Sequence, residues 1–542
     1  MATSNQRTER VVLLALLLCS IAIRTAVVRV DRVVRWDEPD YLIAGRNLFT
    51  GNGLSVASRP ELHYAPLFSI VTGALYPLTH DMKLNSDLSF VVFGTLALLP
   101  FYWLARHLFG QRVAWIAVLL LATFPALNAA VIFWGTMLEP LYLFLLLLGL
   151  SAAWLAWERG SWVSYLLAGV FYGLAYLTKP EAIVGFILIV AFLLVANVLR
   201  RSFGRRAVLG VVVCLLSFML VISPYMVFLY RHTGRIMLTG KLGVTYVAGL
   251  GAVEHDPGLY DRALSRLDQA GNEIIWFSMD RFKYSIGEEI ARDVRGFIRR
   301  LWTNVNTLEG VLFSRRTFPF YFLGFLSLAW FGSTWDRQRA FKEVFLLLAA
   351  APVLVFLPFH IELRYFAPAL PILLIWLACG IEALLQWAQG TLRALGWRNN
   401  RPSHLGSVLC AALVVPIVAF FMILQPRIVD DGLAGLNTSR RAAGQWLAAH
   451  TDSQAMIMSR DTEVPFYAER KWAATPNEPL DRFVSYVRQR GAQYVVVDER
   501  EATVIRPQLH VFLDESTAPV GFRHVYTAAH PLGKTVVYEV LP

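Results

Sequence analysis

The chain has 542 residues, of which 56% are hydrophobic and only 16% charged, and its mean hydropathy is +0.49; a soluble protein carries roughly 25% charged residues. A bilayer must solvate most of such a chain, which excludes a wholly water-soluble protein. The formal net charge of +11 does not point to nucleic acid, because the basic residues stand in short clusters between apolar runs and form no stripe.

In chain order, about eleven stretches are apolar over the length needed to cross a hydrocarbon core of ~30 Å: 11–30, 88–105, 113–130, 137–157, 162–178, 182–199, 207–230, 311–332, 342–359, 364–386 and 405–425. The first follows Arg7 and Arg10 as a signal peptide would. It is longer than a usual h-region and no small-residue cleavage site stands after it, so it reads as an uncleaved helix. Basic turns occur at Arg106, His107 and Arg112, at Arg200, Arg201, Arg205 and Arg206, at Arg337, Arg339 and Lys342, and at Arg393, Arg398 and Arg401. Their alternation with the other connections puts the N-terminus inside and the C-terminus outside. Cys19, Cys214, Cys379 and Cys410 lie in apolar runs with no CxxC or metal-ligand spacing and read as packing residues.

This topology places three larger segments outside: 31–87, 231–310 and 426–542. The first contains Arg35-Trp36-Asp37-Glu38-Pro39-Asp40-Tyr41. Asp37 stands where a carboxylate caps the helix that follows, a role worth about 1 kcal/mol, yet three acids in four residues exceed the needs of one cap. His63-Tyr64-Ala65-Pro66-Leu67 comes next, and the apolar stretch through Tyr76 is too short and broken to cross, so an interfacial element is expected. In the second segment Ile290, Val294, Ile298 and Leu301 recur at helical spacing among Arg292, Arg295, Arg299 and Arg300. Two readings fit equally, a helix in the headgroup plane and a charge-solvated surface helix. The last segment reads as a soluble α/β unit, with helices near 438–450 and 480–490 and strands near 455–458, 494–497, 522–526 and 535–540. It has no glycine-rich phosphate loop, and a supporting or acceptor-recognition role is expected.

Other ionisable residues stand at outer helix ends. Glu139 opens one helix, where an acid is favoured by the dipole. Lys179 and Glu181 flank Pro180, and Arg364-Tyr365 begins another helix, positions where snorkelling or headgroup anchoring is the plain alternative. Their agreement carries more, because the topology brings Asp37, Glu139, Lys179 and Arg364 to one outward level, and ions at a membrane are costly enough to be functional by default. Two acids and two cations suit a base and an anionic leaving group.

At these residues the chain resembles the multi-spanning GT-C glycosyltransferases that use lipid-linked sugars, in their protein O-mannosyltransferase, aminoarabinose transferase and lipopolysaccharide-core (RgtA/B/C/D-like) branches. The resemblance covers roughly 10–385 and rests on Asp37-Glu38-Pro39-Asp40-Tyr41, Ala44-Gly45-Arg46-Asn47-Leu48, Pro66-Leu67, the basic turn after the second helix, Leu138-Glu139-Pro140, Leu177-Thr178-Lys179-Pro180 and Arg364-Tyr365 before Pro368 and Pro371. It implies an all-α polytopic bundle with an outer soluble domain, and the end of the last apolar run divides the two at 425/426. It also implies a polyprenyl-phosphate sugar donor and inverting transfer to a lipid, glycan or protein acceptor. Asp37 would be the general base, Glu38 or Glu139 would orient a substrate, and Arg364, with Lys179 second, would neutralise the departing phosphate. In the aminoarabinose branch a Glu-Lys pair precedes the first-loop Pro-Pro-Leu. His63-Tyr64 stands there instead, so a phosphate contact or divalent-cation site built on that pair is not carried over; His63 reads as a hydrogen-bonding residue rather than a metal ligand.

Two readings from other classes compete. A transporter also buries charges in a helix bundle, but usually near the midplane, and a scaffold would use Asp37 and Glu38 only as caps.

Overall fold

A computed structural model describes residues 2–200, 204–283, 285–332, 334–395, 402–516 and 518–542; Arg201, Arg398 and Arg401, assigned above to basic turns, lie outside the described residues. The first helix, α1 (Ala2–Val28), is polar at its start and apolar from Val11 onward, and it turns most of its surface away from the bundle. Beyond it come α2 (Glu38–Phe49), a hairpin of β1 (Ser55–Val56) and β2 (Arg59–Pro60), α3 (Leu67–Ala74) and α4 (Tyr76–Thr79). The apolar stretch after Pro66 thus forms two helices too short to cross. α2 lies on α3 backbone to backbone. A Cβ at Gly45 would stand 2.5 Å from the Ser69 carbonyl oxygen, and one at Gly73 2.4 Å from that of Gly45, so only glycine permits the crossing.

α5 (Met82–Leu96) and α6 (Leu98–Phe109) run on as one rod, and α7 (Gln111–Thr123) returns beside α6. α8 (Glu139–Arg159), α9 (Trp162–Thr178), α10 (Ala182–Leu199) and α11 (Arg205–Thr233) follow, with α9 packed between α8 and α11. After α12 (Leu242–Val253), α13 (Leu259–Leu264), α14 (Ile286–Arg292) and α15 (Val294–Leu312), the bundle closes with α16 (Leu323–Phe331), α17 (Arg337–Ala350), α18 (Leu370–Ala394) and α19 (Pro402–Ala434).

Among the described residues, seven helices are long and apolar enough to cross a membrane: Arg7–Val28, Met82–Phe109, Glu139–Arg159, Ala182–Leu199, Arg205–Thr233, Leu370–Ala394 and Gly406–Ala434. The remaining expected spans are shorter. α7 stops before Pro125, the stretch 162–178 is the 17-residue α9, 311–332 is interrupted at Pro319, and 342–359 passes into a 3-10 turn at Pro352. Proline lacks the N–H that would continue each helix and clashes with the preceding turn. The last helix runs past the expected boundary at 425 as far as Ala434.

Beyond it, α20 (Ser439–His450), β3 (Met456–Ser459), α21 (Glu463–Ala468), β4 (Lys471–Ala474), α22 (Leu480–Gln489), β5 (Tyr494–Asp498), β6 (Phe522–Ala528) and β7 (Thr535–Val540) form an α/β domain. Its five-stranded sheet has the order β4-β3-β5-β7-β6, parallel from β4 to β5 and antiparallel beyond. β4 is the strand the sequence pattern does not show: Lys471 to Ala474 consists mostly of lysine and alanine, residues depleted in strands. The domain is bound to the loops beside α2. The Tyr467 hydroxyl accepts from the Val34 amide at 2.7 Å, Arg441 grips Asp31 at 2.6 and 2.8 Å, and the buried Asp261 takes Arg460 at 2.9 Å and Arg506 at 2.6 Å.

Candidate active site

Asp37 occupies the N-cap position of α2 but makes no side-chain cap bond. Its carboxylate turns instead to Arg364, whose Nη1 donates to Asp37 Oδ2 at 3.1 Å across 327 positions of sequence. The capping role considered from sequence is therefore not the one the side chain takes.

Arg364 is held from its other side. Its Nε stands 2.6 Å from Glu362 Oε2, and Glu362 also meets His360 Nε2 at 3.0 Å. Burial alone would raise the Glu362 carboxyl; the Arg364 guanidinium and His360 overcome it and hold the group at about 2. Tyr365 stacks on Phe356 with ring centroids 3.9 Å apart, and its hydroxyl meets His360 Nε2 at 3.0 Å, which fixes the short turn that carries Arg364.

Glu139, in the first turn of α8, accepts from the Thr136 hydroxyl at 2.7 Å and faces Lys179 Nζ at 3.7 Å. Lys179, where α9 stops before Pro180, also meets Glu181 at 3.2 Å and lies over the rings of Tyr142 and Tyr365. Asp37, Glu139, Lys179 and Arg364, together with Tyr64 and Tyr365, thus converge on one cleft on the side of the bundle that bears the α/β domain. Its volume is about 20 Å³, room for about one water.

Glu38 and His63 are placed elsewhere. Both Glu38 oxygens are engaged by Arg32, at 2.8 and 3.0 Å, and Oε1 also accepts from Ser86 at 2.6 Å; Arg32 reaches Asp87 at 2.7 Å as well. This is a buried ion network that ties α2 to α5, not a group facing the cleft. His63 packs between Tyr64 and Trp276, with its backbone N–H bound to Glu61. Burial, reinforced by Lys241 and Arg281, pushes its imidazole well below the ordinary range and keeps it neutral. Among the described residues no group of three or more His, Cys, Asp or Glu side chains is arranged to hold a metal ion, and the cleft carboxylates each face a side-chain cation, a donor set that does not fit a divalent ion.

The cleft also contains a residue the sequence reading missed. Lys241 projects from the connection between α11 and α12, stands over the Tyr64 ring at 5.8 Å, and makes no ion pair among the described residues. Burial pulls its ammonium below the ordinary lysine range, and Arg364 and Lys179 add to this while Glu181 and Asp37 oppose it. Its position is set by Gly240: a Cβ there would lie 2.0 Å from the Leu62 carbonyl oxygen, and the Gly240 carbonyl accepts from Arg281 at 3.1 Å. A single lysine in a long loop carries no motif, so only the fold could bring it forward. A larger groove of about 860 Å³, between the β1–β2 hairpin, α2 and the α/β domain, shares no lining residue with the cleft.

Residues 63–228 match the family model of the dolichyl-phosphate-mannose-protein mannosyltransferases. No curated protein sequence matches the chain. The apo oligosaccharyltransferase from Archaeoglobus fulgidus is similar in structure, with a TM-score of 0.63 at 16% identity over 96% of this chain and 80% of that one. The archaeal oligosaccharyltransferase AglB from the same organism, in complex with an inhibitory peptide and a dolichol-phosphate, gives 0.59 at 16% identity, covering 92% of this chain and 70% of that one. ArnT from Cupriavidus metallidurans bound to undecaprenyl phosphate gives 0.53 at 14% identity, covering 100% and 99%. The fold is that of the GT-C membrane glycosyltransferases, a helical bundle with a soluble C-terminal domain.

Proposed function

We propose that the protein is an inverting glycosyltransferase that moves a hexose or pentose from a polyprenyl-phosphate donor to a lipid, glycan or protein acceptor of the cell envelope. The reaction takes place on the outer face of the membrane, with the N-terminus inside. The observation that carries this reading is the Asp37 carboxylate, unspent on capping and set against Arg364 in a cleft that also holds Lys179 and Lys241. The dolichol-phosphate and undecaprenyl phosphate held by the structural neighbours support the same donor class.

In this reading Asp37 accepts the proton of the acceptor hydroxyl as its oxygen bonds to the anomeric carbon. The bond from that carbon to the phosphate oxygen breaks on the opposite side, and the phosphate leaves with the electron pair. Arg364 and Lys241 neutralise the charge that develops there. Glu139, set by Thr136 and Lys179, orients a sugar hydroxyl. The volume of about 20 Å³ is too small for a monosaccharide, so the cleft opens when donor enters. The α/β domain serves acceptor recognition, and the groove between it and α2, lined by Arg46, Asn47, Arg59, Lys471 and Trp472, supports that role.

A transporter of a lipid or solute is the rival reading; the comparisons give it no support, and these charges sit at helix ends rather than on broken helices at the midplane. The test is release of polyprenyl phosphate from a polyprenyl-phosphate sugar by the purified protein with membrane lipid acceptors. Asp37→Asn should abolish release while the donor still binds. Equal release by the variant would overturn the assignment of Asp37, and no release by the unaltered protein would overturn the transferase reading.

A further inference from the structure

α15 is amphipathic in a way that water does not explain. At 100° per residue it has three faces. One carries Gly296, Arg300 and Asn304 and is packed against the protein, where Arg300 pairs with Glu254 at 3.4 Å and Asp293 at 3.5 Å. A second carries Val294, Ile298, Trp302 and Val305, which are 51%, 59%, 67% and 40% exposed. The third, next to the apolar one, carries Arg295, Arg299 and Asn306, all exposed. The polar side chains Arg300 and Asn304 thus occupy the protein contact while the apolar stripe faces away from it.

The structure also corrects the sequence expectation for this region. Asp293 accepts from the Gly296 amide at 2.8 Å and starts a new helix, so Ile290 belongs to α14 and not to this stripe, and Arg300 faces inward rather than toward headgroups. What remains exposed is an apolar band bordered by two arginines, the arrangement that seats a helix at a lipid–water boundary with cations at headgroup level. The packed face leads to the active site: Asn304 Nδ2 donates to the Leu357 carbonyl at 2.8 Å and the Phe359 carbonyl at 3.0 Å, on the segment that continues into His360, Glu362 and Arg364.

We propose that α15 rests on an anionic lipid surface, with Val294, Ile298, Trp302 and Val305 among the acyl chains and Arg295 and Arg299 on the headgroups, and that this seating holds the 357–364 segment and its arginine in place. The second half rests on the transferase reading above; the first does not.

The test uses the full-length protein with its native cysteines replaced by alanine, reconstituted in vesicles of phosphatidylcholine with or without phosphatidylglycerol. A nitroxide label at Ile298→Cys should be several-fold more accessible to oxygen than to a water-soluble nickel chelate, and one at Asn306→Cys the reverse. Equal chelate access at the two positions would overturn the lipid seating. Turnover should rise on the order of thirtyfold when phosphatidylglycerol is present, the effect of ~1 kcal/mol of headgroup attraction for each of Arg295 and Arg299. Arg295→Gln with Arg299→Gln should remove that rise and leave turnover in phosphatidylcholine unchanged. A rise retained in the double variant would overturn the coupling to the site. Absence of any turnover in the unaltered protein would sink the transferase reading, and with it the coupling, while leaving the label result intact.

Discussion

At the scale of single residues, adjacent acids in one motif have different work. Asp37 is half-buried and faces one arginine, whereas Glu38 is fully enclosed by Arg32, Ser86 and the Asp87 network. Replacing Glu38 by Gln leaves Arg32 short of a counter-charge in a buried site, a defect that costs about 3–5 kcal/mol when one partner of such a pair is removed. Glu38→Gln should therefore appear as a lowered thermal midpoint in detergent, and full stability with lost turnover would contradict its anchoring role. Arg364→Gln should lower turnover by about two to three orders of magnitude, the loss expected for a group that stabilises developing charge; unchanged turnover would remove it from the leaving-group site. Glu362 titrates at about 2, below its ordinary value of 4.5. Its hold on Arg364 is thus complete above about pH 4.5 and lost as pH falls toward 2, and hydrogen exchange of the 357–366 segment should rise through that window and not above it.

At the scale of elements, the site depends on how closely α2 approaches α3. The Gly45–Gly73 crossing leaves no room for a methyl group on either helix. Gly45→Ala should force the helices apart, destabilising the protein by about 1–3 kcal/mol and lowering turnover, because Asp37 heads the displaced helix. Gly390→Ala, in α18 with open space around it, should be neutral or slightly stabilising. Comparison of thermal midpoints and turnover for the two variants checks the argument; equal behaviour would mean that the crossing does not position Asp37.

At the scale of the whole molecule, the α/β domain is fastened to the loops beside the cleft through buried charge. Asp261 lies between Arg460 and Arg506, and Asp261 and Arg506 are each only 1% exposed in their side chains. Asp261→Ala strands two arginines and should loosen the domain, again by about 3–5 kcal/mol, seen as faster limited proteolysis of 435–542 with the membrane helices still intact. Unchanged proteolysis would show that Arg441–Asp31 and Tyr467–Val34 suffice to hold it.

The sequence by itself determined the polytopic membrane class and most of the soluble strands, and of the residues it singled out for the site six meet in the cleft: Asp37, Tyr64, Glu139, Lys179, Arg364 and Tyr365. These follow from local signals: apolar runs of spanning length, strand patterns such as Tyr494 to Val497, and charges that hydropathy places at helix ends. It did not determine which helices reach full length, because a proline alters hydropathy little and only its surroundings decide whether the helix ends there, as before Pro125 and at Pro319, or runs through it, as at Pro224 and Pro416. Only the tertiary structure turned Asp37 toward Arg364 and Glu38 toward Arg32, since neighbouring side chains on a helix point about 100° apart and their partners lie on other elements. It alone brought Lys241 to Tyr64 and distinguished the three faces of α15, because exposure is a property of what packs against a residue and not of the residue itself.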